Sequence, residues 1–252
     1  MAGSGILPDP NPNNRYDENH SIMATLSSTT DTNQFCNTYN HNNKYGNLKL
    51  GQIISIYYSG SYIRWYIAGF DVESNKIASD GKSYDNGYGI ALVPETAFST
   101  SEWNDSNVRV SYMTSTMHTV TLPKISNDLK TVLGSHLINR NVLVGSNTND
   151  SATTAYRWTT TYATLMSIGQ MTGNFAYNHT KYDDGEANYK LPLFDYMNYD
   201  SKQFFYSRNY YGKDHNSNYY GAYGINPGGN ISYGLFRNLG TNRPVRPLIY
   251  IR

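Results

Sequence analysis

Cysteine and charge are the two features that this sequence has least of. A single cysteine, Cys36, stands among 252 residues. It excludes an internal disulfide framework and any zinc site built from several cysteines. Charged residues make up only 15% of the chain, and the formal net charge is +1. Because binding to a nucleic-acid backbone requires a basic stripe, we expect no nucleic-acid partner.

Long apolar runs are also lacking. No segment approaches the ~18 consecutive apolar residues of a membrane-spanning helix, and no apolar run of signal-peptide length follows Met1. We therefore expect a protein made in a host cytoplasm, without secretion and without membrane insertion. Such a protein can still reach the outside as part of a virion released by lysis.

The polarity of the chain comes from Asn, Ser, Thr and Tyr instead of from charge. The 25 tyrosines are roughly three times the ordinary number. Tyr and Asn together provide stiff amphipathic contact area and adaptable hydrogen bonds, as recognition surfaces do. A tyrosine-rich β-protein encoded by an AT-rich genome would have the same composition, so composition alone leaves both explanations open.

Residues 1–47 contain too few apolar residues for a hydrophobic core. We interpret this stretch as an extended polar arm that docks on another chain, with Pro10, Asn13, Arg15 and Tyr16 as its contact residues. An arm folded back on its own domain is the alternative. The domain itself is expected over residues 48–252.

From residue 48 onward the pattern predicts strands and helices, and hence an α+β fold. Amphipathic spacing predicts a helix over 122–133, and a second, short helix is expected over 163–170. The turn at 226–230 is expected to join two hairpin arms, and Pro247 is expected to place the last strand near an edge or bulge. Strands are predicted over 50–58, 62–70, 89–93, 137–144, 203–206, 219–225, 231–236 and 245–251.

Several short motifs follow one another in a recognisable order. They are IAGFD at 67–71, WNDS at 103–106 with Tyr112 and Ser115, LP and LG at the two ends of 122–134, YATLMS within 162–173, LPLF at 191–194, an aromatic–Arg strand at 205–208 and VRPLIYI at 245–251. This order resembles an uncharacterised C-type-lectin-like domain family found in phage tail or fibre proteins and in bacterial surface proteins. The resemblance covers residues 48–252.

The resemblance implies a C-type-lectin-like fold, with antiparallel strands, two or three short helices and paired N- and C-terminal strands. It also implies that the Tyr/Asn-rich segment before the closing strand is displayed on a rigid scaffold, as in variable receptor-binding proteins of some phages. Relatives carry a WWLRSPG-like stretch where this chain has residues 204–209, so the contacts of that stretch are not carried over.

The Tyr/Asn-rich segment, residues 204–237, is the expected contact region for a host-surface glycan or protein. Aromatic faces stack on sugars or pack in protein interfaces, and neighbouring polar groups bond to hydroxyls. The candidate contact residues are Arg208, Tyr210, Tyr211, His215, Asn218, Tyr219, Tyr220 and Tyr223.

The alternative is that these tyrosines fill the core or a subunit interface, since alternation along a strand turns about half of them inward. Three residues are expected to be buried, namely Phe204, Tyr206 and Leu235. Four tyrosines are expected to be exposed, namely Tyr210, Tyr211, Tyr219 and Tyr220.

No pattern indicates catalysis, a metal ion or a cofactor. Trp103-Asn104-Asp105 matches the calcium-adjacent tripeptide of sugar-binding C-type lectins, but it lies early in the domain and no Glu-Pro-Asn type loop precedes it. We prefer an exposed turn with a packed Trp and an Asn or Asp that caps the next segment. The six histidines lack metal-ligand spacing, and the carboxylates at 183–186 suit a surface turn better than an EF-hand loop. A nucleophile elbow and a phosphate-binding loop are also missing, so we expect no enzyme.

We expect a phage virion protein, that is, a fibre, tail or head appendage that adheres to the host. The alternative is a purely structural decoration or connector subunit whose Tyr-rich face packs on neighbouring subunits. A bacterial surface adhesin is a third hypothesis, weakened by the missing signal peptide. A homo-oligomer is expected for a fibre tip, although no coiled-coil heptads support it.

Overall fold

A computed structural model describes most of the chain. The described residues are 11–78, 81–84, 86–105, 111–145, 156–173, 189–197, 205–211, 221–225, 231–236 and 242–252.

Within these residues the fold is a mixture of strands and helices, as the sequence predicts. The strands are β1 (Ile22–Leu26), β2 (Ile53–Tyr58), β3 (Ser61–Phe70), β4 (Ile90–Pro94), β5 (Ser99–Ser101), β6 (Arg140–Gly145), β7 (Tyr156–Thr161), β8 (Ala163–Leu165), β9 (Phe205–Tyr211), β10 (Gly221–Ile225), β11 (Ile231–Phe236), β12 (Arg243–Val245) and β13 (Pro247–Ile251). The helices are α1 (Thr29–Thr38), α2 (Leu122–Leu133) and α3 (Ile168–Thr172). A π-helical turn, Met117–Thr121, leads directly into α2.

A six-stranded sheet in the order β1-β2-β3-β4-β13-β8 forms the centre of the molecule. β1 runs parallel to β2, and the other neighbouring pairs are antiparallel. Every residue of β4 and β13 is buried. Burial on both faces explains why these two strands are continuous apolar runs instead of alternating ones.

Helix α2 packs against β2 and buries the apolar stripe that the sequence predicts. Leu122, Ile125, Leu129 and Leu133 are each at most 3% exposed. The helix ends at Gly134, whose φ of 55° lies in the left-handed region that favours glycine. The predicted bounds of α2 are thus confirmed.

Residues 11–47 do not form the extended arm expected from the sequence, but pack on their own domain. β1 extends the main sheet, and Leu26, Phe35 and Cys36 are buried in the common core. The hydroxyl of Thr32 in α1 donates to the backbone oxygen of Val132 in α2, at 2.9 Å. An edge strand and a helix with one buried face need few apolar residues, so the low apolar content of this stretch was a misleading signal.

The closing strand β13 does not pair with the first strands of the domain. It lies between β4 and β8, with Ile249 opposite both Leu92 and Ala163. β2 has β1 on one side and β3 on the other, so it has no free edge for β13. This order corrects the expected pairing of N- and C-terminal strands. Pro247 is the first residue of an internal strand, a position that tolerates its missing N–H, and not the mark of an edge.

The helix expected over 163–170 is correct only in its second half. Residues 163–165 form β8, and α3 begins after Ser167, whose hydroxyl accepts a hydrogen bond from the Gln170 backbone at 3.1 Å. Ala163 and Leu165 are fully buried beside β13. Short apolar runs fit a buried strand or a buried helix equally well, and pairing with β13 decides the outcome here.

Candidate functional site

The Tyr/Asn-rich segment contributes a three-stranded antiparallel sheet in the order β11-β10-β9. β10 and β11 are the two arms of the expected hairpin, and Ile225 pairs with Ile231. The turn between them, residues 226–230, lies outside the described residues. The predicted hairpin pairing is therefore confirmed by its two strands.

The register of this sheet sets tyrosines against residues with little or no side chain. Tyr211 stands opposite Gly221, and Tyr210 stands opposite Ala222. Tyr206 stands opposite Gly224, and the pairing of the two strands shifts register between Ala222 and Gly224. A small residue directly opposite leaves space beside a large ring, because cross-strand Cβ atoms are only about 5 Å apart. The composition of β10, Gly-Ala-Tyr-Gly-Ile, thus suits a sheet that carries aromatic residues on its neighbour.

Strand β9 is the member of this sheet that lies against the rest of the fold. It is next to β12 and β8, and it also contacts β6 and α3. β10 and β11 follow outward from it in the sheet. The main sheet and its covering helices therefore support β9, and β9 supports the hairpin.

The structure distributes the predicted contact residues over this sheet and the loops beside it. Arg208, Tyr210 and Tyr211 belong to β9, and Tyr223 belongs to β10. Four of the candidates lie outside the described residues, namely His215, Asn218, Tyr219 and Tyr220. The expected burial of Phe204, Tyr206 and Leu235 and the expected exposure of the four tyrosines also concern side chains that the structure does not describe.

A buried polar cluster, which the sequence does not reveal, includes residues of the elements that contact β9. Its centre is an ion pair between Arg140 and Glu73, whose side chains are 1% and 3% exposed and whose closest atoms are 2.6 Å apart. The guanidinium of Arg140 also lies over the ring of Tyr250, 3.8 Å from its centroid. We call these residues, together with Tyr189, Gln170 and Asn86, the Arg140 cluster.

Two further side chains complete the hydrogen bonding of Glu73, and a third supports one of them. The hydroxyl of Tyr189 donates to Glu73 Oε1 at 2.6 Å, and the amide of Asn86 donates to Glu73 Oε2 at 2.7 Å. The amide of Gln170 in turn donates to the Tyr189 hydroxyl at 2.8 Å. A buried charge is tolerated when it is paired and its remaining lone pairs are bonded, and both conditions hold for Glu73.

Burial and the neighbouring charges change the acidity of the cluster. Burial, with the charge of Glu73 added to it, holds the pKa of Tyr189 well above its ordinary value. Burial alone would lower the pKa of Arg140, but the interactions with Glu73, Tyr250 and Tyr189 together outweigh it and the pKa is raised. Arg140 therefore stays charged and Tyr189 stays a neutral donor. Shielded from solvent and bonded to each other, these groups hold chain segments together.

The segments that the Arg140 cluster joins are the ones on which β9 rests. Arg140 begins β6, Gln170 lies in α3, and Tyr250 lies in β13. β9 contacts β6, α3 and β8. The cluster thus fixes the supporting elements relative to one another, which keeps the base of the Tyr-rich sheet rigid.

A second polar cluster lies nearer the surface, where Asp71 adopts a left-handed φ of 53° after β3. Its carboxylate accepts hydrogen bonds from the Tyr45 hydroxyl and from the Gly89 backbone, the latter at 2.9 Å. It also lies 2.6 Å from Nδ1 of His41, whose ring stacks on Tyr88. Burial, then Asp71, raises the pKa of Tyr45. A His–Asp pair can orient a base, but the ring of His41 meets an aromatic ring instead of a nucleophile.

The Trp103-Asn104-Asp105 tripeptide caps a helix. Trp103 is fully buried, and its backbone oxygen accepts a hydrogen bond from Met117 at 3.0 Å. The Asn104 side chain accepts from both the backbone and the hydroxyl of Thr116, each at 3.2 Å. The packed Trp and the Asn that bonds to Thr116 agree with the preferred sequence interpretation, but the expected exposure of the turn is wrong at Asn104, which is 4% exposed.

The residues proposed to dock the arm contact their own domain. Asn13 bonds to the backbone N–H and C=O of Phe70, at 2.8 and 2.9 Å. Arg15 donates to the backbone oxygen of Gly46 at 2.6 Å, and Tyr16 stacks on Tyr196. Pro10 lies outside the described residues. Asn13 therefore fastens residues 11–47 to β3 and Tyr16 packs them against Tyr196, whereas the Arg15 side chain bonds to Gly46 within this stretch.

Metal-ligating residues do not gather anywhere in the part of the chain that the structure describes: no group of three or more His, Cys, Asp or Glu side chains is close enough to hold an ion. The carboxylates at 183–186, expected to form a surface turn, lie outside this part. Among the described helices, none has the length and apolarity needed to cross a membrane.

Comparisons with known proteins returned no match. A scan against protein-family models, a search of curated proteins and a search of solved structures each found nothing similar to this chain.

Proposed function

We propose that this chain is a non-catalytic virion protein of a phage, with a C-type-lectin-like fold, that binds a host-surface glycan or protein through its Tyr/Asn-rich segment. The observation that carries the proposal is the register of the β9–β11 sheet. Two candidate contact residues of β9, Tyr211 and Tyr210, stand opposite Gly221 and Ala222 of the next strand. Rigid aromatic side chains provide large contact area at low entropic cost, which suits a recognition surface.

Preorganisation of the support strengthens the proposal. The Arg140 cluster joins β6, α3 and β13, and β9 contacts the first two of these elements. A surface held in its binding conformation before the partner arrives loses less entropy on binding. The scaffold holds a sheet rich in tyrosine and glycine in place. Such an arrangement suits a binding surface better than a catalytic site.

The carboxylates of the two polar clusters are bonded within the fold. Glu73 is paired with Arg140 and bonded to two further side chains. Asp71 accepts bonds from Tyr45 and Gly89 and faces His41. We therefore propose binding without catalysis and without a cofactor. Contacts with other virion proteins and a homo-oligomeric state belong to the same proposal.

A structural subunit is the second candidate function, and the edge position of β11 favours it. β11 ends the order β11-β10-β9 within the described residues. An unpaired edge strand can extend its sheet into a neighbouring subunit. In that case the tyrosines would pack between subunits and would not contact the host.

Binding of the purified, fluorescently labelled protein to host bacteria tests the proposal. We expect the wild type to bind cells, and we expect a variant with Tyr210, Tyr211, Tyr219 and Tyr220 changed to Ser to lose most of this binding. The matched control changes Tyr57 and Tyr62 to Ser, because these tyrosines are 39% and 50% exposed on the β2–β3 hairpin. Equal binding by both variants would reject the contact region. A variant that binds cells normally but fails to assemble with its neighbours would support the structural alternative.

A further inference from the structure

Asn86 and Gly87 form the only Asn-Gly pair in the sequence. Such a pair loses its side-chain amide readily, because glycine has no Cβ to hinder attack by its backbone nitrogen on the asparagine side chain. Asparagine is also one of the thermolabile residues that heat-stable proteins use sparingly. Gly87 is exposed, with a left-handed φ of 67°. Water therefore reaches one half of this pair directly.

The other half of the pair is buried and bonded. Asn86 is 8% exposed. Its amide donates to Glu73 Oε2 at 2.7 Å and to the backbone oxygen of Asn141 at 2.8 Å. Its side-chain oxygen accepts from the backbone N–H of Asn141 at 2.7 Å. The Asn86 side chain therefore pairs with β6 as a neighbouring strand would, and it bonds to the centre of the Arg140 cluster at the same time.

The backbone on both sides of the pair is also fixed. The N–H of Asn86 donates to the Tyr84 oxygen at 2.9 Å, and the Gly89 oxygen accepts from the N–H of Asp71 at 2.8 Å. The N–H of Gly89 donates to the Asp71 carboxylate at 2.9 Å. Deamidation requires the side-chain carbon of Asn86 to bond to the Gly87 nitrogen, so the side chain first has to leave its hydrogen-bond partners. The native contacts oppose this movement.

We propose that Asn86-Gly87 is a deamidation site which the Arg140 cluster protects, so that the reaction proceeds only in chains whose cluster has opened. The Gly87 nitrogen bonds to Cγ of Asn86, the bond from Cγ to Nδ2 breaks, and ammonia leaves with the Gly87 amide proton. Water then opens the five-membered imide ring and gives aspartate or isoaspartate. A reaction of the open state proceeds in proportion to the population of that state.

The product of this reaction prevents the cluster from closing again. A carboxylate at position 86 has no N–H to donate, and it would face the carboxylate of Glu73 and the backbone oxygen of Asn141. Two neighbouring carboxylates repel each other, and buried acceptors without a donor are destabilising. Deamidation thus makes a reversible opening irreversible. This inference does not depend on what the Tyr-rich segment binds.

Peptide mapping by mass spectrometry tests the protection in the full chain. At pH 8, Asn86 of the folded protein should deamidate at least about tenfold more slowly than in guanidinium chloride, because the open state is a minor population. Lys76→Gly is the matched control, since it creates a second Asn-Gly pair at the exposed Asn75, also between β3 and β4. In the folded variant, the new pair should deamidate at least about tenfold faster than Asn86. Equal rates at the two sites, or equal rates at Asn86 in folded and unfolded chains, would overturn the proposal.

Refolding tests the effect of the product. Chains aged in guanidinium chloride and then diluted should separate into a folded fraction that retains Asn86 and a misfolded fraction enriched in aspartate or isoaspartate at this position. Asn86→Asp should lower the midpoint of guanidinium unfolding, whereas Asn75→Asp, at an exposed position, should not. Deamidated chains that refold as completely as intact ones, or an Asn86→Asp variant as stable as the wild type, would contradict the proposal.

Discussion

Glu73 neutralises a fully buried guanidinium, so a substitution at this residue should strongly affect stability. Arg140 is 0% exposed, and its charge is compensated within the Arg140 cluster. Removing one partner of a buried ion pair lowers the free energy of unfolding by much more than the intact pair contributes to it, since the other charge is left uncompensated. Surface ion pairs differ, because water screens them.

Glu73→Gln should therefore lower the free energy of unfolding by roughly 3–5 kcal/mol, measured by urea denaturation. Asp195→Asn is the matched control, because Asp195 is 60% exposed in its ion pair with Lys190. That variant should lose no more than about 1 kcal/mol. Equal losses in the two variants would contradict the central role given to the Arg140 cluster.

The sequence could not reveal this cluster, although it contains one hint. Arg140 interrupts the otherwise mostly apolar run of 137–144, and a charge in a buried strand requires a partner. Glu73 lies 67 positions before Arg140 in the chain, and Tyr189 and Tyr250 lie after Arg140. Only the packing of β6 against β13 and the loop after β3 shows which residue that partner is.

At the scale of elements, the sequence predicts those helices and strands whose formation depends on interactions within one segment. The sequence predicts helix α2 to its end because its apolar stripe and Gly134 act within one segment. It does not predict β8 and β1, because their pairing partners, β13 and β2, are distant in sequence. The sequence identifies the tyrosines of β9 as candidates, but only the strand register shows that they stand opposite Gly221, Ala222 and Gly224.

The packing of residues 11–47 on the domain gives a direct prediction. Leu26→Ala and Phe35→Ala should each destabilise the protein by about 2–5 kcal/mol, because both side chains are buried in the common core. Ile22→Ala, in the same strand as Leu26 but 58% exposed, should change stability by less than about 0.5 kcal/mol. Thermal unfolding followed by circular dichroism measures all three variants. An unchanged melting temperature for the two core variants would instead support the interpretation of this stretch as a separate arm.

The cap formed by Asn104 gives a second prediction at this scale. Asn104→Ala removes the acceptor for two groups of Thr116 and should destabilise the protein by about 1 kcal/mol. Asn127→Ala, exposed within α2, should be neutral or slightly stabilising, because alanine is the better helix former. Urea denaturation separates the two. Calcium should leave both variants and the wild type unchanged if the tripeptide caps a helix.

For the whole molecule, the raised tyrosine pKa values predict sensitivity to alkali. Burial, then a hydrogen bond to Asp128, raises the pKa of Tyr58 to about 12, and the pKa values of Tyr45 and Tyr189 are also raised. A group whose pKa is higher in the folded state stabilises the protein fully below its unfolded pKa, about 10 for tyrosine. Burial also raises the pKa of the Cys36 thiol to about 12, from about 8.5 in an unfolded chain. Stability should therefore begin to fall near pH 9 and should fall further as the pH rises through 10 towards 12.

Urea denaturation at a series of pH values checks this dependence. Tyr58→Phe should flatten the decline, because phenylalanine does not ionise. Tyr57→Phe, on the exposed hairpin, is the control and should keep the slope of the wild type. A stability that rises between pH 10 and 12 would contradict the direction of these shifts.

The central claim for the whole molecule is that a braced scaffold displays the β9–β11 sheet to a host surface. Hydrogen–deuterium exchange, measured with and without polysaccharide and protein extracted from the host surface, tests it most directly. We predict slower exchange of the backbone amides of β9, β10 and β11 when the extract is added, and unchanged exchange in the β2–β3 hairpin. Unchanged exchange throughout 205–236, together with protection elsewhere, would contradict the claim.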